Sequence, residues 1–153
     1  MLPFAERLAA AAAAARHPRI KASDLEARLG TRYTADTIAA LKRRFPRTRF
    51  VWLMGADNLA QIRHWQRWPD IFHALPIAVF ARPTYCLKAL SGMAARRFAR
   101  WRVPVASARD LADFAPPAWV FFPSRLDTRS ATAIRSRSGA GRARRQGDGQ
   151  DVR

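Results

Sequence analysis

The chain has 153 residues, 49% of them hydrophobic, and a formal net charge of +17. This length is enough for one hydrophobic core and too short for two ordinary domains, and a single cysteine, Cys86, excludes a disulfide framework and a cysteine-rich zinc site. Residues 8–15 are mostly alanine, too few and too weakly apolar to cross a membrane, so we expect a cytoplasmic domain.

Helical and extended patterns alternate along the first third of the chain. The alanine-rich residues 8–15 predict a helix, which the His-Pro pair at 17–18 ends. Alternating polar and apolar side chains over residues 19–23 predict a short strand. Residues 34–45 have apolar positions at helical spacing and cations near their end, and they predict a helix with Thr34 as its N-cap.

The rest of the chain continues this alternation. An unbroken apolar run followed by glycine, as in residues 50–54, is typical of a central parallel strand that is covered on both faces. The further elements that we predict are a short helix at 69–75, a strand at 76–80, a surface helix with a basic face at 87–102, a strand at 119–122 and a helix that begins at 130–135. The order predicts an α/β protein with a Rossmann-like, doubly wound parallel sheet and a ligand site at the carboxyl ends of its strands.

The composition changes near the end of the chain. Residues 139–153 consist of Gly, Ala, Arg, Gln and Asp with one valine, which is too little apolar surface to offset the loss of chain entropy on folding. We therefore predict an α/β domain over residues 1–137 and a disordered Gly/Arg-rich tail over residues 138–153.

Polar residues follow or lie between the predicted strands, where a ligand would bind. Ser130 and Thr132 begin the last helix, where free backbone amides favour a phosphate, and Arg135 in the first turn opposes the helix dipole unless an anion is near. An ordinary N-cap with a solvated arginine explains the same residues. Gly55 permits close approach of a ligand, and Asp57 is placed either to accept hydrogen bonds from a ribose or to cap a helix.

The aromatic and basic candidates also have two interpretations each. Trp65 is a candidate for ring stacking, although tryptophan usually packs in a core. Amides beside Thr34 and Tyr33 are suited to a carboxylate, although helix capping alone explains Thr34. Arg82 is placed to close the same pocket or to remain in solvent, and the three histidines have no metal-ligand spacing.

Four of these segments together resemble one family. In chain order they are Y-T-x-D-T at 33–37, G-x-D-N at 55–58 with a tryptophan shortly after it, R-P at 82–83, and S-A-T-x-I-R at 130–135. Their order and spacing are similar to those of bacterial nicotinate-nucleotide adenylyltransferases, and the resemblance runs from about residue 2 to residue 135.

The resemblance implies a reaction and roles for these residues. The reaction is adenylyl transfer from ATP to nicotinate mononucleotide in NAD biosynthesis, giving nicotinate adenine dinucleotide and pyrophosphate, with Mg²⁺ held mainly by the phosphates. Trp65 would stack on the pyridine ring, and Tyr33, Thr34 and Arg82 would line the nicotinate pocket. The implied ATP-binding residues are Gly55, Asp57, Ser130, Thr132 and Arg135, of which Asp57 also binds the mononucleotide and Arg135 acts in catalysis.

The sequence departs from the family pattern in one motif. No G-G-[ST]-F-x-P-x-H-x-G-H loop, which contacts the triphosphate in the family, is present in the 153 residues, and the strand before that loop is not found either. We therefore expect an N-terminally truncated member with little adenylyl transfer of its own. Two alternatives stay open: a noncatalytic basic module that binds nucleotides or nucleic acid, and an inactive relative.

The high positive charge of the chain has two possible explanations. A basic surface is typical of nucleic-acid binding, but lysine is rare beside arginine, and arginine and alanine excess is typical of a G+C-rich coding sequence. Composition thus argues against a nucleic-acid partner and for a nucleotide or other phosphate ligand. It leaves homo-oligomerisation open.

Overall fold

A parallel sheet of three strands is the centre of the structure. The computed structural model describes residues 3–82 and 85–123. The strands are β1 (Trp52–Gly55), β2 (Ile77–Phe80) and β3 (Trp119–Phe122), and they lie in the order β1-β2-β3. Trp52 is paired with Ile77, and Ile77 with Trp119, so all three strands begin at one edge and end at the other.

Short helices connect and cover the strands. The α-helices within the described residues are α1 (Phe4–Ala14), α2 (Leu25–Arg28), α3 (Thr34–Arg44), α4 (Ala56–Gln61), α5 (Trp68–Ala74), α6 (Cys86–Leu90) and α7 (Met93–Arg97). Segments of 3₁₀ helix occupy Ile62–His64, Ala99–Trp101 and Val105–Asp113. None of the helices in this part of the chain is long and apolar enough to cross a membrane.

The two faces of the sheet have separate cores because side chains alternate along each strand. On one face, Ile77, Val79 and Trp119 are buried against residues from α3 to α7. On the other face, Ala78 and Val120 pack with a smaller cluster that includes Leu111 of the last 3₁₀ segment. The smaller cluster covers its face incompletely, since Leu53 is 64% exposed there and Phe80 42%.

Aromatic rings form the densest part of the larger core. Phe98, 1% exposed, stacks on Phe72 with ring centroids 4.1 Å apart and meets Trp68 edge-on at 6.0 Å. Its ring also lies 5.5 Å from that of Trp101, and its carbonyl accepts a 2.8 Å hydrogen bond from Nε1 of the buried Trp119. We call these five residues the aromatic cluster.

Most of the predicted elements are confirmed. The strands predicted at 50–54, 76–80 and 119–122 and the helices predicted at 8–15, 34–45 and 69–75 are found with boundaries shifted by a few residues. The central position predicted for the strand at 50–54 is wrong: among the described strands β2 is central, β1 is an outer strand, and Leu53 of β1 is 64% exposed. The alternation of strand, helix and strand, the parallel open sheet and the Rossmann-like class are as expected. The helix predicted at 130–135 and the tail predicted at 138–153 lie outside the described residues.

The strand predicted at 19–23 is wrong. Residues 17–20 form a turn, in which the amide of Ile20 donates to the carbonyl of His17 and the amide of Arg19 donates to the His17 ring. Ile20 is 61% exposed. An alternating pattern makes a strand only where a neighbouring strand takes up its amides and carbonyls, and no described strand pairs with this segment.

The single surface helix predicted at 87–102 is also wrong, because it is broken and partly buried. Gly92 has an extended conformation, with φ −68° and ψ 162°, and separates α6 from α7. This break allows Ala89, Ala94 and Ala95 to pack into the larger core. The cations remain outside, as expected of a basic face.

Candidate functional site at the carboxyl edge

Three of the predicted site residues meet where β1 and β2 end. Gly55 is the last residue of β1, Asp57 lies in the first turn of α4, and Arg82 comes two residues after the end of β2. Parallel neighbouring strands bring their carboxyl ends to the same edge, so residues 25 positions apart in the chain become neighbours. The turn predicted at 55–58 is corrected in one respect: α4 begins immediately at Ala56.

Asp57 and Arg82 form an ion pair at this edge. Arg82 Nε lies 3.2 Å from Asp57 Oδ1, and the two side chains are 57% and 26% exposed. The two atoms are close enough for an ion pair, but the guanidinium is not oriented for a hydrogen bond to Oδ1. The buried Oδ1 atom therefore makes no hydrogen bond with any described residue. N–H groups on the exposed side of Arg82 are thus available to donate hydrogen bonds to a ligand, and the carboxylate of Asp57 is available to accept them.

Glycine at position 55 is required by this pair. A Cβ atom there would be 2.6 Å from Arg82 Nε and would overlap Asp57 Oδ1. The backbone of Gly55 is extended, with φ −81°, so the reason is space and not conformation. The sequence suggested that Gly55 allows a ligand to come close. Within the protein, this glycine leaves room for the charged side chains of Asp57 and Arg82.

Tyr33 and Thr34 lie at the start of α3. Thr34 is not the N-cap as predicted: it is the first helical residue, and Tyr33 is the N-cap, without a side-chain hydrogen bond. The Tyr33 ring is 41% exposed and lies 5.7 Å below the guanidinium of Arg32. Because no side chain caps α3, the amides of its first turn have no side-chain acceptor.

A hydroxyl that the sequence reasoning missed stabilises this helix start. Thr37 is 5% exposed, and its Oγ1 lies 2.7 Å from Thr31 Oγ1 and 3.2 Å from the Tyr33 carbonyl. Glu26 Oε1 of α2, 3.4 Å away, is a second acceptor for the same hydroxyl hydrogen. The second threonine of the Y-T-x-D-T segment therefore joins α3 to α2, and only its place in that segment marked it beforehand.

Trp65 follows α4 and the Ile62–His64 turn. Its indole is partly buried against the larger core, and its amide donates to the Ile62 carbonyl at 2.9 Å. Two residues further, Arg67 has a left-handed backbone, with φ 50°, and forms an ion pair with Asp36 in the first turn of α3. This pair, which no local sequence signal indicated, links the Trp65 segment to the segment of Tyr33 and Thr34.

The described site therefore consists of two groups. Asp57, Arg82 and Gly55 are in contact at the carboxyl edge, and Tyr33, Thr34 and Trp65 belong to segments that the Asp36–Arg67 pair joins. No hydrogen bond or ion pair between described residues connects the two groups. Ser130, Thr132 and Arg135 lie outside the described residues, so their predicted roles stay predictions.

Two cavities of moderate size lie elsewhere. One of about 250 Å³ is between α3 and α5, with Ile38 and Ile71 among its walls and Lys42 and Arg67 at its rim. The other, of about 230 Å³, is near the start of the strands and is lined by Phe50 and Pro76. Neither cavity is lined by Asp57 or Arg82. These two residues lie instead at the carboxyl edge, where a parallel α/β sheet binds its ligands.

The described residues do not present a set of metal ligands. Residues 3–82 and 85–123 contain no group of three or more His, Cys, Asp or Glu side chains able to hold an ion.

The fold and this edge define a class of protein. A parallel, Rossmann-like α/β sheet with a glycine, an aspartate and an arginine at the carboxyl ends of neighbouring strands is typical of nucleotide-binding enzymes. No family model matches the chain. Curated relatives do match it over most of its length.

Three relatives illustrate the similarity, and each is described as a probable nicotinate-nucleotide adenylyltransferase. The protein of Cereibacter sphaeroides (strain ATCC 17025 / ATH 2.4.3) is 52% identical over 134 residues, 88% of this chain and 71% of the relative. That of Bradyrhizobium sp. (strain ORS 278) is 52% identical over 137 residues, 90% and 71%. That of Gluconacetobacter diazotrophicus is 51% identical over 136 residues, 89% and 63%. The chain belongs to the nicotinate-nucleotide adenylyltransferase family of nucleotidyltransferases.

Proposed function

We propose that this chain binds nicotinate mononucleotide and ATP and belongs to the step of NAD biosynthesis in which an adenylyl group passes from ATP to the mononucleotide. The phosphate of the mononucleotide attacks the α-phosphorus of ATP, the bond from that phosphorus to the bridging oxygen breaks, and pyrophosphate leaves. The observation that carries the proposal is the contact of Asp57 and Arg82 beside Gly55, in a chain about half identical to members of the family.

Asp57 is proposed to accept hydrogen bonds from ribose hydroxyls. Its carboxylate is held at the end of β1 by α4 and lies 3.2 Å from the guanidinium of Arg82. A charged acceptor binds a hydroxyl more strongly than a neutral acceptor does. Arg82, the more exposed partner, is proposed to turn its free donors toward the anionic groups of the mononucleotide.

Trp65 is proposed to stack on the pyridine ring, and the start of α3 to receive the nicotinate carboxylate. The support is the link between their two segments through Asp36 and Arg67, together with the exposed ring of Tyr33 and the lack of a side-chain cap. Amides at a helix start carry a partial positive charge that suits a carboxylate.

The ATP-binding role of Ser130, Thr132 and Arg135 remains part of the proposal and rests on their S-A-T-x-I-R segment. Mg²⁺ is proposed to be held mainly by the phosphates, where it would neutralise their charge. The cytoplasm, where ATP is available and where a chain with one cysteine fits, is the proposed location.

Trp65 and Trp68 offer a matched test, because they are both partly buried tryptophans in one segment. Titration calorimetry of the 153-residue chain with nicotinate mononucleotide should show binding. Trp65→Ala should weaken it about tenfold, as expected from the loss of a stacked ring. Trp68→Ala should lower the free energy of unfolding by about 3 kcal/mol, because Trp68 contacts Phe72 and Phe98, and leave affinity unchanged.

Equal loss of affinity in both variants, or no binding by the unsubstituted chain, would contradict the assignment. Pyrophosphate release from ATP and the mononucleotide is a separate measurement. None of the three histidines, His17, His64 and His73, lies in an H-x-G-H motif, so we expect the 153 residues by themselves to turn over slowly.

A further inference from the structure

One stretch of the chain is basic without any acidic residue. Residues 86–109 contain no Asp or Glu, and their cations are Lys88, Arg96, Arg97, Arg100, Arg102 and Arg109. All six side chains are exposed. Local repulsion among them is unfavourable unless an anion is bound, and this makes the stretch a candidate surface for a polyanion.

Three of these arginines lie on the aromatic cluster. The Arg100 guanidinium is 3.9 Å from the centroid of the Trp101 ring. That of Arg97 is 5.6 Å from Trp68 and 6.0 Å from Phe98, and that of Arg102 is 5.5 Å from Trp119. We call Arg97, Arg100 and Arg102 the stacked arginines.

The rings beneath the stacked arginines are one connected unit. Phe98 contacts Trp68 and Trp101, and its carbonyl accepts the hydrogen bond from Trp119. Because Phe98 and Trp119 are 1% exposed, the unit is part of the core and does not rearrange easily. The three guanidinium groups therefore lie over one connected set of rings.

Stacking leaves the hydrogen-bonding edge of a guanidinium free. An arginine that lies flat on a ring gains a cation–π contact and still offers its N–H groups in the plane. In the part of the chain that the structure describes, ion pairs are formed by Arg49, Arg67 and Arg82, and none by the stacked arginines. Their donors thus have no carboxylate partner among the described residues, and less side-chain entropy is lost when they bind an anion.

Arg102 lies away from the Asp57–Arg82 pair of the candidate functional site. Arg102 forms a β-bridge with Trp119, the first residue of β3, whereas Asp57 and Arg82 lie where β1 and β2 end. Since the strands are parallel and in register, the two places are at opposite edges of the sheet. A ligand that contacts Arg102 is therefore remote from the Asp57–Arg82 pair.

We propose that the stacked arginines bind the sugar-phosphate backbone of a single-stranded nucleic acid without sequence preference. Several fixed, unpaired guanidinium groups beside a partly exposed tryptophan fit a repeating chain of phosphates and bases. An anionic lipid surface fits less well. The exposed apolar side chains nearby, Leu87 and Met93, lie on two separate helices of five residues, too short for an amphipathic helix in a membrane interface.

The proposal is tested with the full 153-residue chain and a fluorescein-labelled oligodeoxythymidylate of roughly 20 nucleotides. Anisotropy is measured over a range of salt concentrations around 0.1 M. In Arg97→Gln/Arg100→Gln/Arg102→Gln, affinity should fall at least about tenfold, and the slope of log K against log salt should become shallower by about two. The matched control, Arg19→Gln/Arg43→Gln/Arg47→Gln, removes equal charge from exposed arginines whose guanidinium groups contact no ring or carboxylate among the described residues. This control should lose about twofold or less.

A third variant separates stacking from charge. Arg97→Lys/Arg100→Lys/Arg102→Lys keeps the charge and loses the flat guanidinium, and its affinity should lie between those of the other two. Circular dichroism and thermal melting establish that each variant is folded before binding is compared. Equal weakening of the stacked and control variants would overturn the proposal. So would full affinity of the lysine variant, or binding to vesicles with about one third anionic lipid and not to the oligonucleotide.

Discussion

The carboxyl edge of the sheet and the aromatic cluster are held together by different kinds of contact. At the carboxyl edge, Gly55, Asp57 and Arg82 form a polar arrangement with little apolar cover. In the aromatic cluster, Phe72, Phe98 and Trp119 are buried rings in close contact. Apolar burial supplies most of the stability of a fold, whereas exposed ion pairs supply little. We therefore expect the aromatic cluster to contribute most to the stability of the fold, and the carboxyl edge to contribute to ligand binding.

Removal of a ring from the aromatic cluster should have the largest effect on stability. Phe98→Ala creates a cavity beside Phe72, Trp68 and Trp101 and should lower the free energy of unfolding by about 3–5 kcal/mol, measured by urea denaturation. Phe80→Ala is the control, since Phe80 is 42% exposed and stacks on Phe122 at 5.0 Å. The Phe80→Ala substitution should lower the free energy of unfolding by about 1 kcal/mol. Similar losses in the two variants would remove the distinction between cluster and edge.

Gly55→Ala tests whether the edge is sterically specified although it is polar. The added methyl group meets Asp57 and Arg82, so the pair must separate at a cost of about 1–3 kcal/mol, with loss of nicotinate mononucleotide binding. Gly30→Ala is the control: Gly30 has φ +63° with open space around it and should cost about 1 kcal/mol from backbone strain alone. Thermal melting and calorimetry measure the two effects. Normal binding by Gly55→Ala would show that the pair is dispensable.

The smallest effect on stability is expected from the ion pair itself. A double-mutant cycle of Asp57→Asn and Arg82→Gln should give a coupling energy below about 1 kcal/mol, because Arg82 is more than half exposed. Asp57→Asn should nevertheless weaken mononucleotide binding about tenfold, because a charged acceptor is lost. A coupling energy near that of a buried pair, with unchanged affinity, would assign the pair to stability and not to binding.

Local sequence patterns determined much of this protein. Unbroken apolar runs marked the three strands, because strands of a parallel sheet carry apolar side chains on both faces. Cations near its end and a proline at position 46 bounded α3. Spaced motifs indicated the family, and Asp57 and Arg82 each follow a predicted strand, where a parallel sheet binds ligands. Their contact with each other was not predicted.

The remaining features were decided by tertiary contacts, which have no local signal. Residues 19–23 alternate like a strand, but a strand needs a partner strand. Residues 17–20 form a turn instead, and no described strand pairs with the segment. The break at Gly92 follows from the packing of Ala89 and Ala94 into the core, and the left-handed Arg67 accompanies its pairing with Asp36.

The charge shows the same division between sequence and structure. The amino-acid composition shows that arginine is abundant, and it argued against a nucleic-acid partner. Only the fold placed three of them on connected aromatic rings, since Trp68, Trp101 and Trp119 are up to 51 positions apart in the chain and meet through Phe98. Sequence alone thus determined the elements, because their patterns are local. The tertiary structure decided which side chains meet, because those contacts join residues distant in the chain.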